Sequence, residues 1–143
     1  MNKFPFYNCS PCAKTHEILH ELLDSMDAGL SVRFTIDKAK NGKHMQAVEY
    51  MLQLLAGKGA DYKRQVLHDW YLLMDLEQFS KKYPLREKNN VDRLLKKQEK
   101  WAKETGISFT PTIFINGNEL PGQYTADDLI FVLRGFEWKE GII

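Results

Sequence analysis

Hydrophobic and polar positions change period several times along the chain. Between Ala13 and Asp27, the residues Ile18, Leu19, Leu22, Leu23 and Met26 recur at i, i+1, i+4, i+5 and i+8, which gathers all five on one helical face. Gly29 is placed to end that helix, because glycine accepts the left-handed conformation that closes many helices. From Leu30 to Asp37 the pattern alternates, with Leu30, Val32, Phe34 and Ile36 on one side, and this predicts a strand. The polar segment Lys38 to Lys43, with Asn41-Gly42 inside it, reads as a loop.

Helical spacing then dominates. Met45, Val48, Leu52 and Leu55 form one stripe, ended by Gly57-Lys58-Gly59. Val66, Trp70 and Leu73 form a second, and Leu76, Phe79 and Tyr83 a third that stops at Pro84. Val91, Leu94, Leu95, Trp101 and Ala102 form a fourth, closed by Gly106. The aromatics and methionines of these stripes read as core packing. Beyond them Thr112 to Ile115 is β-branched and aromatic, and Asn116-Gly117 is a strong hairpin signal leading to a short return strand around Glu119 and Leu120. Thr125, with Asp128 three residues on, caps a final helix whose apolar face is Leu129, Val132 and Leu133 and whose exit is Gly135. The expected order is a short strand, helix, strand, several helices, hairpin and helix, without repeat or linker.

Composition narrows the classes open to such a chain. Its 143 residues suit one domain spanning 1–143, and 43% hydrophobic with 27% charged residues excludes intrinsic disorder. Twenty basic residues against nineteen acidic ones leave a net charge of +1 with no basic run, so nothing electrostatic favours a nucleic-acid partner. No apolar run approaches the roughly 20 residues that cross a bilayer. The N-terminal MNKFPFYN has neither a sustained apolar stretch nor a small-residue cleavage site. Export or membrane tethering would therefore come from sequence outside this chain.

The two cysteines sit three apart in Asn8-Cys9-Ser10-Pro11-Cys12-Ala13-Lys14 and lead directly into the first amphipathic helix. A first helical turn offers unpaired N–H groups and the positive end of the macrodipole, so an anion is favoured there. A thiolate is such an anion, and a cysteine so placed falls from a pKa near 8.5 to about 3.5–7.5. Pro11 suits an early helical position, having no N–H to leave unpaired. Cys9, at the start of the turn, is expected to be the exposed nucleophile. Cys12, one turn deeper, is expected to resolve the mixed disulfide that Cys9 forms.

Two bland readings stand beside this one. A static disulfide three residues apart closes a very small loop and so constrains the unfolded chain little. Zinc is the sharper rival, because His16 and His20 extend the pair to C-x2-C-x3-H-x3-H. Along one helix, however, Cys9 to His20 spans about 16 Å at 1.5 Å per residue, too far for four ligands to meet one ion, although Cys9, Cys12 and His16 could. On the helical wheel His16 borders the apolar face and His20 points further toward solvent. A boundary role is favoured for His16 over that of a cation tuning the thiolate.

A second anchor lies at Ile107 to Gly117, where Pro111 precedes a strand although proline is excluded from central ladders. A cis Thr110–Pro111 bond would explain it by turning the chain sharply, with the backbone groups of Thr110 facing outward.

Cys9-Ser10-Pro11-Cys12 opening a helix, together with Phe109-Thr110-Pro111-Thr112-Ile113-Phe114-Ile115-Asn116-Gly117 opening a hairpin, resembles the thioredoxin superfamily over nearly the whole chain. The helical stretch between the βαβ unit and the hairpin resembles its DsbA-like branch. The runs Asn8 to His16 and Thr110 to Pro121 are similar to thioredoxin-like domains fused to bacterial vitamin K epoxide reductase homologues. The resemblance implies an α/β thioredoxin-like fold, a central mixed sheet flanked by helices, with a helical insertion over about 43–105. It implies thiol–disulfide exchange on cysteine-containing protein substrates, with Cys9 as nucleophile and Cys12 resolving. Beside these, Ser10, Pro11 and His16 are expected as supporting residues from their places around the pair, and no metal and no cofactor beyond the Cys9–Cys12 disulfide is expected. The resemblance also implies a cis Pro111 facing the disulfide and a Thr110 that pairs by its backbone with an extended substrate, as β-augmentation at a free edge would. A membrane quinone-linked redox partner and a periplasmic or extracytoplasmic location follow from the same resemblance, although two cysteines suit the cytoplasm as well. A zinc-binding or redox-inactive interaction module is the alternative.

One departure stands out. Only eight residues, interrupted by Pro5, precede Cys9, which leaves Phe4 to Tyr7 for the first strand. The chain is therefore expected to be part of a longer protein, and no buried acid behind the resolving cysteine can be assigned.

Overall fold

The computed structural model describes residues 9–24, 32–34, 42–88, 90–107, 111–115, 117–121, 124, 127–128 and 131. Several expectations lie outside these residues. They are the strand at Phe4 to Tyr7, the Leu23 side chain, Met26 and Gly29 at the end of the first helix, most of the strand Leu30 to Asp37, and Thr110. Asn116 and the final helix from Thr125 to Gly135, apart from Asp127, Asp128 and Phe131, lie outside them too.

The first helix, α1 (Ser10–Asp24), begins immediately after Cys9. Pro11 is its second residue, where the missing N–H belongs to those with no intrahelical partner. Among the described residues four more helices follow: α2 (Gly42–Leu55), α3 (Ala60–Leu73), α4 (Leu76–Lys82) and α5 (Asp92–Thr105). Their breaks fall where the sequence places them. The start of α2 takes Gly42 and Lys43 out of the expected loop. Gly57 adopts φ +71° after α2, and Gly106 adopts φ +74° after α5. At that second exit the Gly106 N–H reaches the Ala102 and Lys103 carbonyls, and the Ile107 N–H reaches Ala102 as well, a Schellman-type closure. Met74 ends α3 at φ 45°, unusual for a residue with a Cβ, and Asp75 then caps α4 by accepting the Gln78 N–H at 3.0 Å.

The buried core comes mainly from α2 and α3. Ala47, Val48, Met51 and Leu52 of α2 share one buried cluster with Val66, Leu67 and Trp70 of α3, and Phe79, Val91 and Leu95 join it from the later elements. Phe79 is the hub, its ring 5.3 Å from Trp70 at 90° and 5.1 Å from Tyr83. A polar staple joins α3 to α4: the Asp69 carboxylate accepts from the Tyr83 hydroxyl and from the Gln65 amide at 3.2 Å, and pairs with Lys82 at 3.2 Å. Burial alone would raise the Asp69 carboxyl, but these partners outweigh it and hold the group below its ordinary value. Burial, and then that carboxylate, push the Tyr83 hydroxyl up to about 12.

Two stripe positions depart from the expected core. Leu73 is 38% exposed and Leu94 is 39% exposed. Leu73 is the last residue of α3, where the chain turns away, and Leu94 is rotated about 100° from the buried Leu95 on a helix with one narrow apolar face.

Among the described residues the sheet is one antiparallel hairpin, β1 (Phe114–Ile115) and β2 (Asn118–Glu119), with Ile115 opposite Asn118. The strands are shorter than the expected Thr112 to Ile115 and Glu119 to Leu120, although the Leu120 N–H to the Ile113 carbonyl at 2.8 Å extends the pairing by one rung. Gly117, at φ +79°, supplies the positive φ that a two-residue turn demands. Val32, Arg33 and Phe34 form no regular strand, yet their burial alternates as the expected strand requires: half-buried, exposed, buried. The Phe34 N–H donates to Gln98 Oε1 at 2.8 Å, and Arg33 lies over the Trp101 ring at 5.2 Å. Trp101 in turn meets Phe114 at 6.0 Å, so α5 carries the segment 32–34 and the hairpin together. No described helix is long and apolar enough to cross a membrane.

Candidate active site

Cys9 and Cys12 are joined as a disulfide, their Cα atoms 5.1 Å apart. Cys9 occupies the N-cap position of α1, and its carbonyl accepts the Ala13 N–H at 3.0 Å. The Cys12 N–H donates to Cys9 Sγ at 3.2 Å. A first-turn amide therefore points at the sulfur that is expected to carry the negative charge, as an N-cap side chain does. On reduction the same N–H favours a thiolate at Cys9.

The exposure of the pair is the reverse of the expectation. Cys9 is fully buried at 0% exposure, whereas Cys12 is half-buried. Ser10 is exposed and Pro11 half-buried beside the pair. Pro111 is half-buried at a bend ahead of β1. Thr110, and with it the Thr110–Pro111 bond, lies outside the described residues.

His16 departs furthest from its expected place. It is 5% exposed rather than at a boundary, and among the described residues neither ring nitrogen has a hydrogen-bond partner. The reason is tertiary: α1 packs on α3 through this face, with the His16 ring 5.2 Å from Tyr71 and 6.2 Å from His20. His20 stacks on His68 of α3 at 4.3 Å, which makes it half-buried rather than solvent-facing. Burial, followed by repulsion from His20, His68 and Arg64, lowers the His16 imidazole from 6.5 to about 4. At neutral pH it is thus uncharged and supplies no cation to the thiolate. Sequence reasoning missed His68, Tyr71 and Arg64. Their spacing at i, i+4 and i+7 marks a face of α3, but nothing in the sequence pairs that face with α1.

This buried neutral histidine makes stability depend on pH. Between pH 6.5 and about 4 the unfolded chain holds a proton at His16 that the folded chain does not. Stability is therefore full above 6.5 and falls as pH drops toward 4, by about 3 kcal/mol at 1.36 kcal/mol per pKa unit. Urea unfolding at pH 7 and pH 4.5 should show this loss, and His16→Leu should shrink it. Asp69, whose contribution is lost only below its ordinary 3.8, leaves that window clear.

Among the described residues no group of three or more His, Cys, Asp or Glu side chains is arranged to hold a metal ion. The two sulfurs are bonded to each other, and the imidazoles stack rather than converge.

Residues 1–133 match a protein-family model described as Thioredoxin. No curated protein and no solved structure matches the chain.

Proposed function

The chain belongs to the thioredoxin family, and from that premise we propose that it is a protein thiol–disulfide oxidoreductase working through Cys9 and Cys12. Proteins of this kind are generally oxidoreductases that need no cofactor. The observation that carries the reading is the Cys12 amide aimed at Cys9 Sγ at the start of α1, on a cysteine pair already joined as a disulfide.

A substrate thiolate attacks Cys9 Sγ, the S–S bond breaks, and the electron pair leaves on Cys12. A second substrate thiolate then attacks the substrate sulfur of the mixed disulfide, and Cys9 departs as the thiolate that the Cys12 amide stabilises. The substrate dithiol loses two electrons and the protein disulfide gains them. Run backwards, Cys12 resolves the mixed disulfide. The greater exposure of Cys12 favours the opposite order, in which the substrate bonds to Cys12 and Cys9 leaves.

The finer assignments are part of the same proposal. Helices α2–α5 are read as the helical insertion of a DsbA-like thioredoxin fold whose mixed central sheet extends beyond the hairpin. The runs Asn8 to His16 and Thr110 to Pro121 support kinship with the domains fused to vitamin K epoxide reductase homologues. That kinship points to a periplasmic site and a quinone-linked membrane partner. In it a cis Pro111 and the Thr110 backbone hold an extended cysteine-containing substrate.

Insulin reduction with dithiothreitol tests the reading. The protein should precipitate insulin well before dithiothreitol alone does, and an unchanged time course would remove the activity.

A further inference from the structure

His16 is a buried basic side chain with unused hydrogen-bonding capacity, one helical turn beyond Cys12. Residues four apart on a helix are neighbours on one face, about 5–6 Å between Cβ atoms. Among the described residues both ring nitrogens of His16 are buried without a hydrogen-bond partner, a costly arrangement unless a donor or acceptor appears at some stage. The reaction supplies one. While the disulfide is closed Cys12 carries no proton, but once it opens Cys12 becomes a thiol or thiolate on the face that His16 shares.

We propose that His16 is the proton acceptor for Cys12, taking the thiol proton as Cys12 attacks a mixed disulfide at Cys9 and, in the reverse step, relaying a proton drawn from solvent to Cys12 as it leaves. In the resolving step the S–H bond of Cys12 breaks, its proton passes to an imidazole nitrogen, and its electron pair forms the new bond to Cys9 Sγ. The substrate leaves as a thiolate. The protein is oxidised, the substrate sulfur is reduced, and the proton leaves later to solvent.

The surroundings of His16 suit this task. His20 faces it from α1 itself, and Arg64, His68 and Tyr71 face it from α3. Burial first, and then these positive or protonatable neighbours, keep the imidazole neutral while the disulfide is closed. A thiolate one turn away offsets them at the moment the imidazolium forms, so the charge is stabilised only when it is needed. A neutral base beside a thiol is the arrangement that activates cysteine nucleophiles generally. The proposal rests on the oxidoreductase reading.

Reduced protein mixed with the aromatic disulfide DTNB releases one thiolate as the first cysteine is captured, and a second as the other cysteine resolves the adduct. In His16→Gln the second release at pH 7 should be slower by about tenfold or more, the lower end of what a positioned base supplies. Its pH profile should move up to that of an unassisted thiol, so that the two proteins converge in alkali. A loss of packing alone would not move the profile, and superimposable profiles would overturn the proposal. In the wild type, nitrogen-15 NMR of the imidazoles should show His16 becoming more basic on reduction. An unchanged titration would overturn it without any variant. Insulin turnover that is absent while the DTNB profile still shifts would remove the activity on proteins and leave the His16–Cys12 pairing in place.

Discussion

Cys9→Ser should return insulin precipitation to the rate of dithiothreitol alone, and Cys12→Ser should stop turnover while accumulating a covalent adduct. Both follow from the division of labour at the start of α1. The amide that reaches Cys9 Sγ at 3.2 Å lowers the energy of a thiolate there, so Cys9 is the sulfur that captures substrate and later leaves. Without it, Cys12 has no partner to resolve against. Without Cys12, capture proceeds, but nothing inside the protein displaces the substrate. The adduct should appear on a non-reducing gel as a band of higher mass that dithiothreitol removes. Cys12 is the more exposed residue of the pair, so the test is sharp. An adduct that builds up in Cys9→Ser and not in Cys12→Ser would give capture to Cys12.

Trp70→Ala should cost about 3–5 kcal/mol, the usual range for removing a buried large aromatic. Trp70 is 1% exposed and meets Phe79 edge to face at 5.3 Å, at the junction of α3 and α4. Its removal leaves a hole lined by a ring that also packs on Tyr50 and Tyr83, so partial collapse cannot close it without moving several rings. For a chain of this size the thermal midpoint should fall by roughly 10–20 °C. Thermal unfolding followed by circular dichroism reads it directly. A loss below about 1 kcal/mol would show that the core relaxes far more than its aromatic geometry suggests.

What the sequence disclosed follows the range of the forces involved. The start of α1 at the cysteine pair, the exits at Gly57 and Gly106, the stop before Pro84 and the positive φ of Gly117 are local matters of φ preference and unpaired amides. Each was legible from a few neighbouring residues. The buried face of α1 was not. Hydropathy favours Ile18, Leu19 and Leu22, which are half-buried, over Thr15 and His16, which are buried. That outcome depends on α3 arriving with His68 and Tyr71, roughly fifty residues later, and a helical wheel drawn for α1 alone contains no trace of it. The Cys9 sulfur was misjudged for a related reason. Its place at the mouth of the helix suggested exposure, but burial is decided by what packs over the first turn, which the neighbouring residues do not encode.

That burial has a consequence for which reductants meet which end of this bond. A sulfur with no surface cannot be approached in line, so small mobile thiols such as dithiothreitol should open the bond from the half-buried Cys12 and expel Cys9. Capture at Cys9 itself is then reserved for partners whose docking uncovers the atom before any electron moves.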